Sequence, residues 1–172
     1  MLSNFAIERI ATKLDLPIVG VFSKDELKEK PRILGSYYVN MMDSDKTDDE
    51  GNNGSHWVFA KIYCDKLRDD VSESDEDDVN KCSALYFDPY GCGMPKDIAS
   101  FLKPFSPVYC NNRQIQNINT SQCGWYCLLC DYILEHKQES DTYLKDFEKF
   151  LNIWSDKPEK NLTILKRMFK PI

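Results

Sequence analysis

The sequence predicts an α+β fold, a small mixed β-sheet flanked by helices, with the nucleophile candidate at the N-terminus of a central helix. Three observations carry this. Gly35 to Met42, Val58 to Tyr63 and Ala84 to Phe87 are β-prone apolar runs. Both ends of the chain show helical spacing of apolar residues, Phe5, Ile7, Ile10 and Leu14 at one end and Tyr143, Leu144, Phe147, Phe150 and Leu151 towards the other. Between them Cys123 to His136 is a long, largely apolar stretch that reads as a helix. Runs of strands followed by runs of helices give an α+β layer arrangement rather than alternating βαβ units.

Taken in order, Ser3 or Asn4 caps the first helix and Pro17 closes it. Pro17 to Phe22 is a short extended segment, and Ser23-Lys24-Asp25-Glu26 matches a capping box for a brief helical turn that Pro31 ends. After the three strand runs, Pro95 to Leu102 fits a helix and Pro107-Val108-Tyr109 a strand. Ser140 or Asp141 caps the helix carrying Phe147 and Phe150, and a last helix runs through Leu162, Ile164, Leu165 and Met168.

A chain of 172 residues is expected to form one domain that buries about two thirds of its unfolded surface. Hydrophobic content of 42%, with 12% aromatics, is that of a folded protein. No apolar run reaches the roughly 20 residues that cross a bilayer, and the first helix is interrupted by Glu8, Arg9 and Lys13, so neither a membrane span nor a secretory signal is expected. Seven cysteines, at 64, 82, 92, 110, 123, 127 and 130, are odd in number and irregular in spacing, which suits a reducing compartment.

The formal charge of −6 is local. Residues 43–55 and 65–80 form two acidic loops, and without their three basic and thirteen acidic residues the body keeps 19 and 15, about +4. That surplus, with Lys166, Arg167 and Lys170 near the end, permits weak nucleic-acid contact and equally describes a solvated surface.

Cys123 stands at the predicted start of a helix, where unpaired backbone N–H groups favour a thiolate. Gly124 beside it leaves room for a substrate backbone. His56 follows Asn52-Asn53-Gly54-Ser55 just before a strand, a position that lets an imidazole face a cleft, whereas His136 near a helix end is explained by capping or exposure. Asp88 ends the strand Ala84 to Phe87 and can accept the second imidazole N–H. Gln116, seven residues before Cys123, can donate to an oxyanion together with the Cys123 N–H; Gln114 and Gln122 are the competitors. A thiol, a base, an orienter and an oxyanion donor are the parts of a cysteine protease. The competing chemistry is zinc held by Cys127-x-x-Cys130 with Cys123 and His56, but Leu128-Leu129 continue an apolar helix where a metal pair wants a turn, so no metal site is expected.

Together, His56-Trp57, Phe87-Asp88-Pro89-Tyr90-Gly91, Gln116 and Cys123-Gly124 resemble the motifs of the adenain-like cysteine proteases of adenoviruses, Polinton-type elements and virophages. The resemblance spans Gly54 to Cys130. It implies a thiol endopeptidase that processes capsid or core precursors at glycine-containing sites during virion maturation, inside the virion and the host cell. It also implies catalytic roles for His56, Asp88, Cys123 and Gln116, a narrow channel walled by Trp57, and activation by a short peptide or DNA with no other cofactor. A monomer is expected. Proteases that process SUMO-like proteins share the order of motifs and are the alternative; an inactive relative that uses the cleft only for binding is the third reading.

Overall fold

The computed structural model describes residues 2–46, 56–64, 82–140 and 142–170. Most of the first acidic loop and all of the second, 65–80, lie outside the described residues, as does Asp141. Five strands, β1 (Ile18–Ser23), β2 (Gly35–Asn40), β3 (Trp57–Cys64), β4 (Cys82–Phe87) and β5 (Val108–Cys110), form one sheet in that spatial order. The β2–β3 and β3–β4 pairs are antiparallel and the two outer pairs parallel, so the sheet is mixed.

Alternation of side chains along the strands divides the core between two faces. Tyr37, Val39, Val58, Ala60, Ile62, Ala84 and Tyr86 point to the face covered by α2 (Lys96–Leu102), through Ile98, Phe101 and Leu102. Tyr38, Trp57, Phe59, Tyr63, Leu85 and Phe87 point to the other face, against α3 (Cys123–His136). Both faces of the central strands are therefore buried, which is why β2 and β3 carry apolar side chains on both sides, with Ser36, Asn40 and Lys61 as buried polar exceptions.

Around α3 pack α1 (Asn4–Lys13), α4 (Tyr143–Asn152) and α5 (Pro158–Phe169). Ser3 caps α1 by accepting the Ala6 N–H at 3.2 Å, and Ile7 and Ala11 are its buried stripe. The cap of α4 is Thr142, whose hydroxyl accepts the Lys145 N–H, rather than Ser140 or Asp141. Its Phe147 and Phe150 meet Phe87 edge-on. Because α3 is enclosed by sheet and helices, nine of its residues are buried, including Cys123 at its start and Asp131.

One feature departs from the sequence reading. Cys64 and Cys82 form a disulfide, with Cα atoms 4.1 Å apart. Irregular spacing hid the pair: the two cysteines are register partners at the last rung of the β3–β4 ladder, and only that register puts them opposite each other. Cys92, Cys110, Cys123, Cys127 and Cys130 are free thiols.

Candidate active site

The end of β4 and the loop after it build the first half of the site. Asp88 follows Phe87 at the strand tip and is 2% exposed. Asn111 clamps its backbone from both sides: Asp88 N–H donates to Asn111 Oδ1 at 2.9 Å, and Asn111 Nδ2 donates to the Asp88 carbonyl at 2.7 Å. Pro89 to Gly91 then turn sharply, closed by Gly91 N–H to Asp88 C=O at 2.8 Å. Gly91 has φ +69°, and a Cβ there would stand 2.4 Å from the Arg113 carbonyl carbon. The glycine of the Phe87-Asp88-Pro89-Tyr90-Gly91 motif is thus required twice, by its dihedral and by close backbone approach. Gly91→Ala is expected to cost about 1–3 kcal/mol in urea unfolding and to lower turnover by disturbing Asp88; an unchanged midpoint would show that the turn adapts.

His56 immediately precedes β3 and points to Asp88, with Nε2 2.7 Å from Oδ1. The same oxygen takes the Tyr90 N–H at 2.8 Å, and the Tyr90 ring stacks on the imidazole with centroids 4.4 Å apart. The imidazole is therefore fixed from its edge and from its face. Burial opposes the imidazolium, but the hydrogen bond to Asp88 and the charges of Asp88 and Cys123 outweigh it and lift the His56 pKa to about 9. Its Nδ1 is buried without a hydrogen-bond partner. With Nε2 engaged by Asp88, Nδ1 is the nitrogen left for Cys123.

Cys123 opens α3. The first intrahelical bonds run from Trp125 N and Tyr126 N to the Gln122 carbonyl, so the N–H groups of Cys123 and Gly124 lie ahead of them. The Cys123 sulfur accepts the Trp57 N–H at 3.4 Å. An amide donor and an imidazole thus converge on one sulfur. The side chain is 1% exposed, so the sulfur is covered in this arrangement.

The structure brings His56, Asp88 and Cys123 together. It also brings Gln116 near, but not with a free donor: Gln116 is fully buried, and its Nε2 donates to the Thr120 carbonyl at 2.7 Å and towards Tyr90 Oη at 3.3 Å. Tyr90 Oη in turn lies 3.0 Å from the Thr120 carbonyl. Gln114 donates to the Gln116 carbonyl, leaving Gln122 the least committed of the three amides, with a buried, unpaired Oε1. The loop is anchored from below. Ile115 and Gln116 N–H both donate to the Pro89 carbonyl, Asn161 Nδ2 donates to the Ile115 carbonyl at 2.9 Å, and Arg113 reaches Asp156 and the Leu151 carbonyl.

Trp57 and Gly124 differ from expectation. Trp57 is fully buried, its indole N–H donates to the Leu2 carbonyl at 2.9 Å, and Leu2 and Ile7 lie within 3.4 Å of where a Gly124 Cβ would be. The physical reason is strand parity: Trp57 faces the same side as Phe59, into the packed layer under α1 and α3. Neither residue lines an open channel here. Cys127 and Cys130 are likewise enclosed, with burial pushing both thiols well up, and among the described residues no group of three or more His, Cys, Asp or Glu is arranged to hold a metal. His136 spends Nε2 on the Leu14 carbonyl at 2.8 Å.

Sequence reasoning missed Asn111 and the stacking role of Tyr90. Tyr90 lay inside a recognised motif, so its presence was visible but not its contact. Asn111-Asn112 after a strand reads only as a turn, and nothing local marks one of them as a clamp.

No protein-family model and no curated protein matches the chain. Among solved structures it is similar to the ASFV pS273R protease, at 17% identity and a TM-score of 0.45. The match covers 86% of this chain and 61% of that one, so the chain spans about three fifths of that protease's length. No helix among the described residues is long and apolar enough to cross a membrane.

Proposed function

We propose that the chain is a thiol endopeptidase that cuts capsid or core precursor polypeptides during virion maturation. The observation that carries the peptidase reading is His56 held between the Asp88 carboxylate at 2.7 Å and the thiol at the start of α3. Cys123 attacks the peptide carbonyl and forms a thioester. His56, an imidazolium below about pH 9, gives its proton to the departing amine and then takes one from the water that hydrolyses the thioester. Asp88 holds the ring, and the Cys123 N–H, with Gln116 once Thr120 releases its amide, holds the oxyanion.

The choice of capsid precursors over other polypeptides rests on the motif resemblance alone. With Trp57 under Leu2, a preference for glycine rests there too. An activating peptide or DNA would act by uncovering the Cys123 sulfur, and the setting would be the virion and the host cell, with the chain a monomer. Incubation with viral structural precursors and, separately, with SUMO conjugates tests the reading; cleavage confined to the conjugates favours the deconjugating alternative.

Gln116→Ala is expected to lower kcat by about a hundredfold or more with little change in KM, measured on any cleaved peptide. Near-normal kcat would move the oxyanion role to Gln122.

A further inference from the structure

We propose that the groove between the start of α3 and α5 is a specificity subsite, holding the substrate segment beside the scissile bond and selecting a large apolar side chain next to an acidic one. This rests on the peptidase reading above. The groove has a volume of about 490 Å³, within the range of ligand sites. Leu162, Leu165 and Phe169 line it from one stripe of α5, and Trp125 closes it from α3. Trp125 and Phe169 are packed edge to face, centroids 5.3 Å apart, which makes that wall stiff.

Two further observations name the occupant. Gln122, the residue next to Cys123, lines the groove. The groove therefore begins one residue from the nucleophile, where an extended substrate must pass. Lys166 and Lys170, one helical turn apart, also line it, and among the described residues neither ammonium has a carboxylate partner. An apolar trough bordered by two unpaired cations fits an apolar side chain followed or preceded by a carboxylate. Nucleic acid fits it less well: two cations neutralise little of a phosphate backbone, and the Trp125 and Phe169 rings are spent on each other rather than presented for base stacking.

The test is cleavage profiling of a proteome-derived peptide library by mass spectrometry, with wild type and the exposed double variant Lys166→Glu/Lys170→Glu. Calorimetric binding of an apolar-acidic peptide to Cys123→Ala protein, with and without the two lysine changes, supplies a readout that needs no turnover. Wild type is expected to enrich apolar-acidic pairs beside the cut, with kcat/KM about tenfold lower when the apolar residue becomes glycine. The charge reversal is expected to lower kcat/KM and binding for acidic peptides about three- to tenfold and to leave peptides lacking the acid unchanged. Cleavage indifferent to both residues, or loss of DNA binding in the variant with peptide selection intact, overturns the subsite. Peptide binding that depends on the lysines without any cleavage keeps the groove as a peptide site and overturns the peptidase reading instead; absence of both overturns the proposal.

Discussion

Cys123→Ala is expected to reduce peptide cleavage by on the order of 10⁴–10⁶, to the level of buffer, while the protein still unfolds in one transition. The chemical loss is large because Cys127 and Cys130 are buried deeper along α3, Cys127 Sγ already meets the Trp57 carbonyl at 3.5 Å, and burial pushes up the exposed Cys92 and Cys110 thiols. The structural loss is small. Removing one sulfur from a packed site costs about 1 kcal/mol, and the Trp57 N–H that pointed at it is the only described hydrogen bond forfeited. Residual cleavage in the variant, measured by mass spectrometry on a mapped substrate, would place the nucleophile elsewhere.

Lys61→Met is expected to destabilise the fold by about 3–5 kcal/mol in urea unfolding. Lys61 is a cation in the core: its ammonium lies 3.2 Å from Asp131 and 2.5 Å from Glu135, with side chains 2%, 0% and 18% exposed. Ser36 and Tyr38 donate to the two Asp131 oxygens at 2.7 and 2.8 Å, so β2, β3 and α3 are joined through one carboxylate. Met keeps the stem's volume but leaves a buried carboxylate without its counter-charge. Burial already raises the Asp131 pKa, and loss of Lys61 raises it further. The folded carboxyl then titrates above its unfolded counterpart, so the variant's deficit is largest at high pH and shrinks as the pH falls and Asp131 protonates. Adding Asp131→Leu should recover part of the loss. A Lys61→Met midpoint equal to wild type would show that Asp131 is neutral in the native protein.

Much of this was legible in the sequence because period and punctuation agree with the fold. The strands at 35–40, 57–64 and 82–87 and the helix opening at Cys123 follow from apolar runs bounded by turns. His56, Asp88 and Cys123 could be picked out because a loop-to-strand junction, a strand tip and a helix start each present a side chain at an element's end. What was not legible depends on long-range register. The Cys64–Cys82 bridge exists only once β3 and β4 are aligned. Trp57 is core rather than channel wall because of which way β3 faces, and nothing in the chain places Leu2 over it. Gln116 was read as a free donor, yet Thr120, four residues on, takes its amide, a loop contact that no spacing rule contains.

The central claim is that His56 and Asp88 make Cys123 the reactive thiol despite its burial. Burial pushes up the Cys92 and Cys110 thiols, though both residues are exposed, so exposure and activation pull in opposite directions among the free cysteines. His56 stays charged to about pH 9 only while folded, and the stability this pairing contributes is present in full below pH 6.5 and lost as the pH rises through 9. The decisive measurement is iodoacetamide labelling at pH 6, resolved per cysteine by mass spectrometry, in wild type and His56→Ala. Cys123 labelling about tenfold or more ahead of Cys92 and Cys110, and falling behind them in His56→Ala, is the predicted result. Labelling of Cys92 and Cys110 first, with Cys123 inert and unaffected by His56→Ala, would contradict it.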